Sequence, residues 1–263
     1  MKILAVGDIF GEAAAGALGG RIRAVCKAAG VTPELTVING ENAAEGRGIT
    51  PETAREIFSA GADIITTGNH IWDKRVIYDY LDSEPRILRP ANYPAESPGV
   101  GYNVVSVSSY RVLIMNLLGC AFISPTPACP YETAERIFGR ERGRYDFALI
   151  DFHAEATGEK LAFARYIDSH REYRVAAIWG THTHIQTADE KILPFGTGYI
   201  TDIGMTGPEG GVIGVKPENI ISVMKNKMPA KFEVADGNIA LHGALFEIDP
   251  ERAVTTGVCR VSS

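Results

Sequence analysis

The sequence predicts an α/β fold of mixed β-sheets in a single domain over residues 1–263, and three observations carry that prediction. Short apolar runs rich in β-branched residues recur along the chain, each followed by a glycine or polar cluster and then a helix-like stretch. Two further regions alternate apolar and polar residues, as antiparallel pairs do. Composition is ordinary for a globular chain, at 45% hydrophobic and 22% charged, and this length can bury a substantial core without disulfide staples.

The first expected strand is "ILAVGD", followed by "LTVINGEN", "ADIITTGNH", "FALIDFHAE", "VAAIWGTHTH" and "GYITDIG". Continuous apolar strands alternating with helices indicate a parallel sheet covered on both faces. One helix is expected in "TPETAREIFSAG", with Thr50 as N-cap, Pro51 at the first helical position and Gly61 as the stop. Another is expected in "GEKLAFARYIDSH", where Leu161, Phe163, Ala164 and Ile167 repeat at helical spacing. The segment "GYNVVSVSSYRVLIMNLLG" reads as a hairpin turning at Ser108 and Ser109, and "AKFEVADGNIALHGALFEIDP" as a second turning at Asp236 and Gly237. The stretch "FISPTPACPYE", with Pro125, Pro127 and Pro130, reads as a loop or crossover and not as a helix.

Composition also excludes functions. A net charge of −6 argues against a general polyanion binder, so no stable nucleic-acid partner is expected. Cys26, Cys120, Cys129 and Cys259 are scattered without a CxxC pair, which points to reduced thiols and away from a zinc ribbon or a thioredoxin-like motif. The opening apolar run extends only from Ile3 to Val6, too short for a signal sequence or a membrane span. A cytoplasmic protein without a membrane partner is the expectation.

The chemistry gathers at strand ends, where open α/β sheets bind their ligands. These ends carry Asp8, then Glu41 and Asn42, then Asn69 and His70, then His153, then His182 and His184. In an extended segment residues i and i+2 face the same way, so "HTH" would turn both imidazoles toward one point. Three histidines, two carboxylates and two asparagines are about enough ligands for two metal ions. Mixed imidazole and oxygen donors without thiolate suit Fe, Mn, Zn or Co. Two divalent cations, offset by Asp8, Glu41 and a hydroxide, leave a site of about +1 that favours an anion. Paired metals can activate water and neutralise charge growing on a phosphoryl group, so phosphate ester hydrolysis fits best. A metallo-β-lactamase would want "HxHxDH", an amidohydrolase barrel places "HxH" on its first strand, and a dinucleotide fold needs a GxGxxG that "GDIFGE" lacks.

With "GD" at Asp8, "GNH" at His70 and "GTHTH" at His184, the chain resembles the calcineurin-like metallophosphoesterases. The fuller strings "VGDIFG", "NGENAAEG", "TTGNHIWD", "LRPANYP", "DFHAEATGEK", "GTHTHIQTAD" and "YITDIGMTGP" resemble one bacterial branch, the YmdB-like family, over nearly the whole length. The resemblance implies a four-layer α-β-β-α sandwich of two mixed sheets and a dinuclear iron or manganese centre. It also implies phosphodiesterase activity on small phosphodiesters, most of all cyclic nucleotides, 2′,3′- or 3′,5′-cyclic. By position, it gives Asp8, Asn42 and His184 to the first metal, Asn69, His153 and His182 to the second, and Glu41 to a bridge between them. His70 would be the general acid. Phe10 stands where the wider superfamily has a ligand, and "GEN" replaces its bridging aspartate; both are normal in this branch. An amide at Asn42 donates less electron density than an imidazole, so a weaker first site is expected.

Other residues are given lesser roles. His170 and His242 are not expected to ligate, and Trp72 is expected to pack under the site more readily than to stack on a base. Asn92 in "LRPANYP" is a candidate substrate contact, and residues 204–211, "GMTGPEGG", a flexible loop at the site mouth. A homo-oligomer is expected. The rival readings are a phosphomonoesterase of the same fold and a regulatory metal-containing protein acting on an RNA-processing partner.

Overall fold

A computed structural model describes all residues, 1–263. In chain order the first half contains β1 (Lys2–Val6), β2 (Asp8–Ile9), α1 (Glu12–Ala29), β3 (Leu35–Asn39), α2 (Pro51–Ser59), β4 (Ile64–Thr66), α3 (Tyr78–Ser83) and β5 (Ile87–Leu88). A hairpin of β6 (Tyr102–Val107) and β7 (Tyr110–Leu118) leads to α4 (Pro130–Arg140), β8 (Phe147–His153), α5 (Thr157–Ser169) and β9 (Val175–Thr181). The chain closes with β10 (Lys191–Ile192), β11 (Gly198–Ile200), β12 (Met205–Pro208), α6 (Pro217–Asn226), β13 (Ile239–Ala240), β14 (His242–Asp249) and β15 (Val254–Ser262).

These strands make two mixed six-stranded sheets, ordered β15-β14-β1-β3-β4-β5 and β10-β11-β9-β8-β7-β6, and a small third sheet β13-β12-β2. The period of two along each strand explains why the sheets stack. In β1, Leu4 and Val6 pack outward with Leu18 of α1 and Ile57 of α2, while Ile3 and Ala5 face the other sheet. In β8, Ala148, Ile150 and Phe152 pack outward with Ile137 of α4 and Phe163 of α5, while Phe147 and Leu149 face inward. Three cores separate four layers, so the architecture is the expected α-β-β-α sandwich.

The inward faces change character along their length. Leu35 and Val37, Ile64, Phe147 and Leu149, and Ala177 and Trp179 are apolar; the next inward positions are Asn39, Thr66, Asp151, His153 and Thr181, all buried and polar. The middle layer therefore turns polar at the carboxyl ends of its parallel strands, and the candidate site lies there.

Most expected elements are present. Thr50 accepts a hydrogen bond from Thr53 N and caps α2, with Pro51 at its first position; the helix ends at Ser59, and Gly61 follows at φ 115°. The first hairpin turns at Ser108 and Ser109, with Val107 paired to Tyr110. The second expected hairpin is wrong: Val234 makes one bridge to Val215, and β14 instead pairs with β1 and with β15. Alternation marked β14 correctly, but its partner lies at the chain's start, which local pattern cannot reveal. Pro130 opens α4 at its first position, where a missing N–H costs nothing, so the expected loop ends one residue before it. Residues 204–211 are not one loop: Met205–Pro208 form β12, whose Met205 and Thr206 pair with Asp8 and Ile9 in the third sheet, and only residues 209–211 turn. In α5 the inward face is Lys160, Phe163, Ala164 and Ile167, so a lysine takes a place the periodicity reading gave to Leu161.

Candidate metal centre

Seven of the predicted residues converge, each delivered by a strand end. Asp8 is the first residue of β2, held in place by pairing with Met205. Glu41 and Asn42 follow β3; Asn69 follows β4; His153 ends β8; His182 and His184 follow β9.

One cluster forms around His153. Its Nε2 lies 3.0 Å from Glu41 Oε1, 3.2 Å from Asn69 Oδ1 and 3.0 Å from His182 Nδ1. Glu41 and His153 are wholly buried. Candidate donor atoms of Glu41, His153 and His182 all lie within 4.8 Å of one another. A second cluster adjoins it: His184 Nε2 is 3.3 Å from Asp8 Oδ2 and 3.3 Å from Asn42 Nδ2, and Asn42 Nδ2 donates to Glu41 Oε1 at 3.2 Å. Glu41 thus touches both clusters.

Three of this centre's buried oxygens have no protein hydrogen-bond partner. Both carboxylate oxygens of Asp8 and the Asn42 Oδ1 are buried without a protein hydrogen bond, an expensive condition for polar atoms unless a cation takes their lone pairs. The histidines are oriented for the same purpose. His184 Nδ1 donates to Ile213 O at 2.9 Å, leaving Nε2 free toward Asp8. His153 Nδ1 donates to Thr181 Oγ1 at 2.9 Å, and that hydroxyl donates in turn to Asp151 Oδ1 at 2.7 Å. His182 Nε2 meets Glu155 Oε2 at 3.1 Å, so Nδ1 faces His153. Anchoring one ring nitrogen to oxygen so that the other is bare is how metal-binding histidines are held. The donor set therefore fits divalent cations.

Electrostatics agree. Burial alone would raise the Glu41 carboxyl, but the facing His153 charge and hydrogen bond hold it well below the usual carboxylate range. Burial alone would lower His153, but Glu41 raises it to about 9, so without a cation a proton sits between them. Burial and the neighbouring His153 push His182 down to about 3.

The "HTH" segment does not bring its imidazoles to one point through an extended backbone. His182 and His184 are not extended: they adopt φ 100° and 64°, in the region L-residues avoid. A turn with two such residues sends the imidazoles to different clusters, and tertiary contacts hold it. Lys160, wholly buried, donates to Thr181 O at 2.8 Å and Asp202 Oδ2 at 2.7 Å, and Asp202 accepts from Thr183 N and Oγ1.

His70 lies beside the clusters. Its backbone N–H donates to Glu41 Oε2 at 3.0 Å, and its Nδ1 faces Asp73 Oδ2 at 2.8 Å, while Arg47 also pairs with Asp73. Sequence reasoning missed Asp73, although "GNHIWD" places it one helical turn after His70. It also missed Gly68, where a Cβ would come within 2.3 Å of both Glu41 Oε2 and His153 Nε2. Two lesser candidates resolve as structural. Asn92 is buried, donating to Leu118 O and Ala128 O and accepting from Leu118 N, so it has no group left for substrate. Trp72 packs edge-on against Tyr78 and Tyr93. Phe10 sits edge-on to His184, centroids 5.4 Å apart, in a pocket that a Cβ at Gly46 or Gly214 would fill.

A four-layer sandwich whose strand ends gather imidazoles, carboxylates and amides is the architecture of the metallophosphoesterases, and the chain is an enzyme of that class. It belongs to the YmdB-like protein family, whose sequence model matches residues 4–261. A relative from Bacillus subtilis (strain 168), named 2′,3′-cyclic-nucleotide 2′-phosphodiesterase, is 43% identical over 229 residues, 87% of this chain and 85% of that protein. Two solved structures superpose over the whole chain. A hypothetical protein from Thermus thermophilus is 33% identical with a TM-score of 0.90 over 99% of its length. A novel phosphatase from Mycoplasma pneumoniae is 29% identical with a TM-score of 0.91 over 93% of its length. No helix is long and apolar enough to cross a membrane.

Proposed function

We propose that this single-domain protein is a dinuclear phosphodiesterase acting on cyclic mononucleotides, with 2′,3′-cyclic esters the preferred class. The observation that carries the reading is the pair of adjoining clusters joined by Glu41, with three unsatisfied buried oxygens on Asp8 and Asn42. Asp8, Asn42 and His184 would hold one cation, Asn69, His153 and His182 the other, and Glu41 would bridge; Fe or Mn is favoured, with Zn or Co the alternatives. The chemistry such a pair supplies when bound is activation of water and neutralisation of phosphoryl charge. The Bacillus subtilis relative's name supports the 2′,3′-cyclic choice. A homo-oligomer in the cytoplasm belongs to the same reading.

The chain's own residues do the rest. Water adds to phosphorus as the bond from phosphorus to the ester oxygen breaks. His70 gives the leaving oxygen its proton. Asp73 accepts from His70 Nδ1 at 2.8 Å and keeps the opposite ring nitrogen toward the cleft. The cleft is bordered by Glu41, Asn42, His70, His182 and His184.

The test is a panel of 2′,3′-cyclic, 3′,5′-cyclic and monoester nucleotides on metal-reconstituted protein, with elemental analysis. Hydrolysis of a cyclic diester is expected, and His70→Ala should keep its metal yet lose about 10²-fold or more in kcat. Turnover of monoesters alone would replace this reading with a phosphomonoesterase. Unchanged turnover in His70→Ala would remove His70 as the acid.

A further inference from the structure

The cleft over the metal centre has two unlike halves. Its floor is the polar set just described, and one side is a wall drawn from a single segment: Ile213, Val215, Ile220, Ala230, Phe232 and Val234. The cleft encloses about 660 Å³. Phe232 lines it while remaining 53% exposed. The wall segment is tied down by the Val215–Val234 bridge and by Lys216, whose Nζ lies 3.2 Å from Glu233 Oε2.

An inorganic or sugar phosphate would use the floor and gain nothing from an apolar wall with an aromatic ring at its edge. A planar aromatic base would use both, since every base presents a π-face that stacks on an aromatic side chain. Charge restricts the ligand further. Besides Glu41 on the floor, three carboxylates line the cleft, Glu45 and Glu233 paired with Lys74 and Lys216 and Glu155 facing His182, against one guanidinium, Arg47. A polynucleotide would bring further phosphates against those carboxylates; a mononucleotide has its single phosphate at the floor.

We propose that the wall formed by residues 213–234 is a nucleobase site and that Phe232 is its stacking residue, so that the cleft selects base-bearing mononucleotides over base-free phosphate esters. This inference rests on the phosphodiesterase reading of the same cleft, and binding tests it separately from turnover.

Equilibrium dialysis of metal-loaded protein would compare adenosine 3′-monophosphate with ribose 5-phosphate. The wild type is expected to bind the nucleotide about tenfold more tightly. Phe232→Ala should lose most of that advantage without changing ribose 5-phosphate binding, and Phe232→Trp should restore it. Equal wild-type affinity for the two ligands overturns the inference, as does a Phe232→Ala variant that loses neither ligand or both alike. Tight, base-dependent binding without hydrolysis of any cyclic nucleotide would leave the base site standing and refute the phosphodiesterase reading instead.

Discussion

Lys160 Nζ and Asp202 Oδ2 lie 2.7 Å apart in a wholly buried ion pair beneath the turn that carries His182 and His184. Through Thr181 O and the Thr183 N–H and hydroxyl, the pair binds the backbone on both sides of His182. Removing one partner of such a pair strands the other charge in the interior, at a cost of about 3–5 kcal/mol. Lys160→Met is therefore expected to lower the melting temperature and to reduce bound metal, read by calorimetry and elemental analysis. Full metal content in a folded Lys160→Met protein would show that the turn holds itself.

Asp73 touches no candidate ligand and faces His70 alone among the site's histidines. Asp73→Asn should lower kcat at least about tenfold while metal content stays unchanged, because the amide no longer fixes the imidazole. A parallel fall in metal content would assign Asp73 to folding of the loop.

A side chain at Gly68 would displace Glu41 and His153. A Cβ there would meet Glu41 Oε2 and His153 Nε2 at 2.3 Å. Gly68→Ala is expected to fold, since neither collision involves backbone, but to bind metal at least about tenfold more weakly. Calorimetric titration with Mn²⁺ would measure it, and wild-type affinity would refute the steric argument.

The Glu41–His153 pair sets a pH signature. Without cations, His153 is raised from 6.5 to about 9, so its stabilising contribution is full below 6.5 and lost as pH climbs through about 9. Glu41 is lowered from 4.5, so its contribution is full above 4.5 and lost on acidification. Chelated protein should therefore lose melting temperature between pH 6.5 and 9. Metal-loaded protein should show the opposite trend, since a ligating imidazole must first give up that proton. Parallel slopes in the two forms would contradict ligation by His153.

On the proposed assignment Asp8, Asn42 and His184 would take one cation, and Asn69, His153 and His182, with one imidazole more, the other. Titration of metal-free protein should resolve two steps, the weaker one abolished selectively by Asn42→Ala. Two equally tight steps would end the idea of unequal sites.

Much of the site was legible because parallel strands deliver their final residues to one edge whatever surrounds them. Asp8, Glu41, Asn42, Asn69, His153, His182 and His184 could be read off as strand-end polar residues, and the resemblance supplied their grouping. Lys160 was hidden for the opposite reason: a lysine on a helix reads as solvated, and only its partner 42 positions later makes burial tolerable. Gly68 was hidden because no residue pattern reports how closely two other side chains will approach a backbone.

By itself the sequence determined the alternation of strands and helices, the first hairpin and the identity of the polar groups at the strand ends, all set by residues within one or two turns of each other. Tertiary structure alone decided that β14 pairs with β1, that His182 and His184 part company through two left-handed residues, and that six residues near the end of the chain wall the cleft. Those outcomes depend on contacts between distant segments, whose free energy exists only once the layers have stacked.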